Sequence, residues 1–286
     1  LVNQDVCRGW RACIAACPYK KIYYNWQSGK SEKCILCYPR LETGQPTACF
    51  HSCVGRIRYM GVLLYDADRI EAAMTAPDAH LVEAARGVLC DPFDPDIQAS
   101  ARRNGVSDEC IAIAQRSPVW RYVMEWKLAL PLHIEYRTMP MLFYVPPLLP
   151  AMGTRGAGGY ARAGDGVFTV LEHARLPIKY LASLFSADNV DHVTAALKKL
   201  LAVRLYKRAQ DLHDLDDAQV RTMMWEAGLT PDDAEAIYAL TAIPTVADRY
   251  VLPPIQREEA MSGTCDPELC KGTTGFGVLS ALKRGS

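Results

Sequence analysis

Hydrophobic and polar positions change their spacing along this chain, from short alternating stretches broken by turn residues to helical periodicity after about residue 67. Pro18 to Gly29 is rich in aromatics and closes on Ser28-Gly29, which predicts a strand running into a turn. Gly61 to Asp66, Gly-Val-Leu-Leu-Tyr-Asp, predicts a second strand. Between them, Tyr38 to Ala48 holds Pro39, Gly44 and Pro46 and predicts a loop. Helices are expected to begin at Asp68 to Met74 and at Ser107-Asp-Glu-Cys110, where acidic residues occupy the first turn. From Leu176 the helical signal strengthens. Val193, Leu197, Leu200 and Leu201 fall at i, i+4, i+7 and i+8, on one face of an amphipathic helix. Thr230-Pro231-Asp232-Asp233 supplies an N-cap, a first-turn proline and acids against the helix dipole. Trp126 to Pro150 fits neither period. Its aromatics and prolines predict an extended arm laid against another subunit.

The expected fold class is α+β, in four segments: residues 1–66, 67–168 with helices and the arm, a helical domain at 169–250, and an irregular tail at 251–286. Half of the 286 residues are hydrophobic, enough for a core and too many for a largely disordered chain. At roughly 150 residues per domain the length suggests about two domains. Lys+Arg and Asp+Glu are 32 each, a balance that argues against unspecific nucleic-acid binding. No apolar run reaches membrane-spanning length, and Met139 to Met152 is broken by Pro140, Pro146, Pro147 and Pro150. Any membrane contact is therefore expected through a partner. The chain opens at Leu1 with no leader before its first cysteine motif, and reads as a fragment lacking its N-terminal part.

Cysteine changes this picture most. Of 11 cysteines, seven lie within the first 53 residues: Cys7, Cys13, Cys17, Cys34, Cys37, Cys49 and Cys53. A disulfide scaffold suits small secreted domains, not a chain of this size. The first run, Cys7-x5-Cys13-x3-Cys17-Pro18, matches the ferredoxin spacing C-x2-C-x2-C-x3-C-P with Trp10 in the second cysteine position. An indole offers a donor and no ligating lone pair, so one iron corner is expected to stay empty, giving a [3Fe-4S] cluster. Zinc does not account for that spacing. The second run, Cys34-x2-Cys37-x11-Cys49-x3-Cys53, taken alone suits a four-cysteine zinc site, but beside the first it reads as a ferredoxin run with an insertion. The loops and strands around both runs are those of a ferredoxin-type half-module. One closed pairing joins Cys7, Cys13 and Cys53 at one cluster and Cys34, Cys37, Cys49 and Cys17 at another; it competes with pairings that use partners upstream.

The stretch from Cys7 to Ile70, CRGWRACIAACPYKKIYYNWQSGKSEKCILCYPRLETGQPTACFHSCVGRIRYMGVLLYDADRI, resembles the iron–sulfur (beta) subunit of membrane-bound respiratory nitrate reductase. The likeness resumes at Ser117 to Pro150, Leu176 to Leu184 and Ala196 to Ala209, and is weak at Gly153 to Gly166 and after Arg257. Tryptophan in the slot of Trp10 is its specific marker. The resemblance implies three [4Fe-4S] clusters and one [3Fe-4S] cluster shared among four cysteine runs, of which these are the third and fourth. Cys7 and Cys13 would bind the [3Fe-4S] cluster with an upstream cysteine. Cys17 would complete one [4Fe-4S] cluster, Cys34, Cys37 and Cys49 would hold most of a second, and Cys53 would finish a third. It also implies electron transfer from a quinol-oxidising, haem b-containing gamma subunit in the membrane to a molybdenum-containing alpha subunit that reduces nitrate to nitrite. No substrate chemistry would occur on this chain, which would lie peripherally at the cytoplasmic face of the membrane.

Two further readings stay open: the beta subunit of a related molybdoenzyme acting on another oxyanion or a hydrocarbon, and a zinc-stabilised interaction module. Lys20, Lys21, Lys30, Lys33, Arg40, Arg56 and Arg58 crowd the cysteine region, as partners of negative clusters, as a docking face, or as a solvated basic surface. Cys90 and Cys110 are expected to be buried apolar side chains. Cys265-x4-Cys270 lacks the histidine a zinc site would need. The six histidines show no ligand spacing, and His51 is expected beside a cluster without ligating it.

Overall fold

The computed structural model describes residues 2–42, 45–139, 142–147, 168, 170–171, 174, 176–213 and 215–251. The stretch Gly153 to Gly166, the tail with Cys265 and Cys270, and His173 lie outside the described residues. Contacts divide the chain into two compact units, with the boundary between His51 and Ser52 and a second unit that runs to Val251. The sequence reading drew its first boundary after residue 66. Tyr59 and Leu63 explain the difference, because both are buried in the same core as Val119, Tyr122 and Val123.

In the first unit a short helix, α1 (Ala12–Ala16), leads to strands β1 (Ile22–Asn25) and β2 (Lys30–Lys33), then to helical turns α2 (Tyr38–Glu42) and α3 (Ala48–His51). The strands form an antiparallel hairpin in which Ile22 faces Lys33 and Tyr24 faces Ser31. Asn25 folds its tip, since its side-chain oxygen accepts the N–H of Gln27 at 2.9 Å and of Ser28 at 3.3 Å. Gly29 closes the turn at φ +68°, a left-handed conformation that favours glycine. Strand β1 and the turn match the strand and Ser-Gly turn expected there; β2 adds a second strand that was not expected. The Tyr38 to Ala48 segment, expected as a loop, carries the helical turn α2, because a proline in a helix's first turn costs no hydrogen bond.

The second unit opens with β3 (Arg58–Tyr59), α4 (Ile70–Met74), α5 (Leu81–Arg86), α6 (Pro95–Arg103), α7 (Asp108–Arg116) and α8 (Pro118–Trp120), the last continuing as a π-turn over Arg121–Glu125. Strands β4 (Leu130–Pro131) and β5 (Phe143–Tyr144) complete a small antiparallel sheet of order β3-β5-β4. Five helices follow: α9 (Ile178–Phe185), α10 (Val190–Leu212), α11 (Asp217–Ala227), α12 (Pro231–Ala242) and α13 (Val246–Arg249). Helix α10 is central, with α9, α11 and α12 packed on it. Its buried residues include Val193, Leu197 and Leu201, the face expected from the sequence. Ser107 caps α7, and Thr230 and Asp233 form a capping box on α12 with Pro231 in its first turn. None of the described helices is long and apolar enough to cross a membrane.

Two expectations are corrected. Gly61 to Asp66 forms no strand; it runs extended and exchanges bonds with one neighbouring segment, Asp66 N–H to Val88 and Cys90 N–H to Leu64, with a single bridge between Tyr65 and Leu89. A Cβ on Gly61 would stand 2.3 Å from Ser117 Oγ, so close packing against α8 takes precedence over sheet pairing there. Nor is Trp126 to Pro150 an arm over its described residues. Trp126, Leu128, Leu130, Ile134, Phe143 and Val145 are buried in the second unit's own core. Pro131, Pro146 and Pro147 lie along an irregular crossing whose described residues supply two of the three strands. Cys90 and Cys110 are half-buried rather than enclosed.

Candidate metal centre

At Cys7, Cys17 and Cys34 the sulfur is served by backbone amides, and left-handed backbone nearby makes that possible. Gly9, Arg11, Lys20, Leu36 and Cys37 all have positive φ, each within three residues of a cysteine. For a side-chain-bearing residue this costs roughly 1–2 kcal/mol, and alternating hands of backbone turn successive N–H groups towards one side, a concavity suited to negative charge. Ser31 N–H donates to Cys7 Sγ at 3.4 Å, and Leu36 N–H to Cys34 Sγ at 3.4 Å. The amides of Ser31 and then Gly9 hold the Cys7 thiol below the usual thiol range against a smaller opposing effect of burial. At Cys17 the Lys21 amide does the same, with help from Tyr19 and Lys20. Such donors favour the thiolate, the form that binds metal.

Helix α1 accounts for the x3 spacing of the first run. Cys13 sits inside it and Cys17 caps it, with Cys17 N–H donating to Cys13 O at 3.1 Å, so the two lie one helical turn apart. Gly9 brings the run against the hairpin: its φ is +69°, and a Cβ there would meet Gly29 O at 2.3 Å. Trp10 is exposed at 86% and takes no part in a core. Arg11 instead lies over Tyr24 and Trp26, 5.2 and 5.7 Å from their ring centres. In the second run Cys37 begins the turn into α2, and Cys49 lies in α3 with Thr47 Oγ1 3.7 Å from its sulfur. Cys53 belongs to the second unit. All seven are free thiols, and no three His, Cys, Asp or Glu side chains converge on a metal-sized site among the described residues.

The basic residues are more occupied than the sequence suggests. Lys20 donates to Ala15 O, Lys30 to Gln4 O, Arg40 to Pro46 O and Arg56 to Thr241 O, each a backbone carbonyl. His51 is exposed and lies on α3. Ser31 is the residue that sequence reasoning missed. It is the only buried side chain among residues 2–38, at 1% exposure, and its hydroxyl lies 3.5 Å from Cys13 Sγ. The signal was present: Ser31 is the one uncharged residue of the strand Lys-Ser-Glu-Lys.

The donor set fits an iron–sulfur group, being thiolate-rich with amide donors on the sulfurs. Comparison with known proteins agrees. A family model described as a 4Fe-4S dicluster domain matches residues 1–63, and one described as respiratory nitrate reductase beta C-terminal matches residues 148–231. Among curated proteins, the respiratory nitrate reductase 2 beta chain of Escherichia coli is 49% identical over 278 residues, 97% of this chain and 53% of that one. The nitrate reductase beta chain of Bacillus subtilis is 44% identical over 93% of this chain and 55% of its own length. A respiratory nitrate reductase beta chain of Bradyrhizobium is 34% identical over 92% of this chain and 74% of its own. The chain spans about half the length of the first two relatives.

Proposed function

Because this chain belongs to the family of respiratory nitrate reductase beta chains, we propose that it is part of the electron-transfer subunit of a nitrate reductase complex. On this reading electrons leave quinol at a haem b-containing membrane subunit and reach a molybdenum-containing subunit where nitrate becomes nitrite. The chain itself performs no substrate chemistry and is held peripherally at the cytoplasmic face of the membrane through its partner. Iron–sulfur groups, when bound, supply one-electron transfer without bond changes in a substrate.

The residues divide the work. Cys7 and Cys13 provide two thiolates for a [3Fe-4S] cluster, and Cys17 one for a [4Fe-4S] cluster. Cys34, Cys37 and Cys49 provide three for another [4Fe-4S] cluster, and Cys53 one for a third. Trp10 offers no lone pair and so withholds a ligand from one iron corner. The amides of Ser31 and Leu36 stabilise negative sulfur and orient it before iron arrives. The observation that carries the reading is the Cys7–Trp10–Cys13–Cys17 run with amides aimed at its sulfurs.

Low-temperature electron paramagnetic resonance of the full-length subunit, isolated anaerobically in its native complex, tests it beside Trp10→Cys. The expected result is a [3Fe-4S] signal in the oxidised wild type that disappears or converts in the variant. Stoichiometric zinc, with no iron, no acid-labile sulfide and no such signal, refutes the reading.

A further inference from the structure

Ser31 occupies a position that no electron-transfer ligand requires but that two of them share. Its amide donates to Cys7 Sγ at 3.4 Å, and its hydroxyl lies 3.5 Å from Cys13 Sγ. It points to the inner side of β2 and is 1% exposed, so water does not compete for either contact. Its carbonyl accepts Gln4 Nε2 at 2.8 Å, and Gln4 O in turn accepts the neighbouring Lys30 ammonium, which fixes the strand at this point. In the free thiol form Cys13 S–H donates to the Ser31 oxygen. A sulfur bound to iron carries no proton, and the hydroxyl, free to rotate, then donates to it.

We propose that the Ser31 hydroxyl is a positioning group that sets the reduction potential of the cluster held by Cys7 and Cys13, by donating a hydrogen bond to ligand sulfur. The proposal rests on the ligand assignment above. Reduction places an additional electron on the cluster and its sulfurs, so a donor to sulfur stabilises the reduced form more than the oxidised one. Removing the donor makes the cluster harder to reduce. The expected size is about tenfold in the one-electron equilibrium constant, which is ~59 mV.

The experiment is a redox titration of the native complex, followed by electron paramagnetic resonance, with Ser31→Ala and Ser31→Thr in the full-length subunit. Ser31→Ala is expected to lower the midpoint of one cluster by about that tenfold while the other clusters stay put. Ser31→Thr, which keeps the hydroxyl, is expected to return it close to wild type. The backbone amide to Cys7 remains in both variants, so a purely structural role of the strand would not separate them. An unmoved midpoint in Ser31→Ala at full iron content overturns the proposal. Should Ser31→Ala lose the cluster, Ser31→Val takes its place beside Ser31→Thr, a pair of the same shape that differs in the hydroxyl alone, and equal midpoints in that pair overturn the proposal. Cys13→Ala, which leaves no ligating atom, separates the two layers. If the shifted signal survives that substitution, the ligand assignment fails; if it is lost there yet unmoved by Ser31→Ala, only the role of Ser31 fails.

Discussion

Trp126→Phe deletes one hydrogen bond from the centre of the second unit, together with part of a buried ring and the Arg121 guanidinium's contact over it at 4.3 Å, and a double-mutant cycle separates the bond from those losses. The Trp126 indole is 2% exposed, packs edge-on to Tyr122 at 5.1 Å, and donates from Nε1 to Asp233 Oδ1 at 3.0 Å. Asp233 is also the third helical residue of the α12 capping box, so one carboxylate ties the crossing before β4 to the start of a helix 107 residues later. A hydrogen bond to a charged acceptor is worth about 1.5–3 kcal/mol. Asp233 keeps part of its surface in water, which places this pair near ~1.5 kcal/mol. Burial raises the Asp233 pKa, but the bonds from Thr230 and Trp126 outweigh it and hold the carboxyl below its usual range. A depressed carboxylate stabilises the fold above its unfolded pKa, so the coupling is present at pH 7 and fades as acid protonates it. The assay is a double-mutant cycle of Trp126→Phe and Asp233→Ala by urea denaturation and circular dichroism at neutral pH. A coupling energy of about 1.5 kcal/mol is expected. A value within ~0.3 kcal/mol of zero, the usual error of additivity, would refute the idea that this bond fastens the crossing to the helices.

On the proposed assignment of Cys7 as a ligand, Gly9→Ala is expected to cost the first unit most of the iron held there, because its Cβ would collide with Gly29 O at 2.3 Å. Gly29→Ala meets nothing nearer than 3.8 Å and pays only its left-handed backbone, roughly 1 kcal/mol, so iron content should stay near wild type. Equal losses in the two variants would contradict the close-approach account. The second unit should weaken in mild acid. Burial and then the charge of Arg86 lower the His192 pKa, while at Glu83 the charges of Arg86, Lys127 and His192 outweigh burial and lower its pKa too. Both groups bind more protons unfolded than folded, so their stabilisation is complete above about pH 6.5 and is lost as pH falls. Thermal melts from neutral to mildly acidic pH should show a fall in midpoint that His192→Gln reduces; an unchanged slope in the variant would exclude His192 as its source.

Helices with strong local signals were readable from sequence, and so were the first strand of the hairpin and its turn, though not its second strand, Lys30–Lys33. The Thr230 capping box, the Ser107 cap and the apolar face at Val193, Leu197 and Leu201 each rest on contacts a few residues apart. Gly61 to Asp66 and Trp126 to Pro150 were misread because their fate is decided by distant neighbours. A glycine pressed on Ser117 and an indole bonded to Asp233 leave no periodic trace. At the candidate centre, cysteine spacing nominated the residues, since a thiolate ligand has to be a cysteine. Ser31 and Gly9 went unnoticed because their importance is spatial: one supplies donors, the other the absence of a side chain.

That a single side chain is buried among residues 2–38 bears on how such a protein is made. A stretch with so little apolar interior has no strong reason of its own to hold its shape, and its order must come from ligated iron or from neighbouring protein. Where ligated iron supplies that order, loading and folding become one event. A chain that has missed its iron would then keep this stretch open and protease-sensitive while the second unit stays packed.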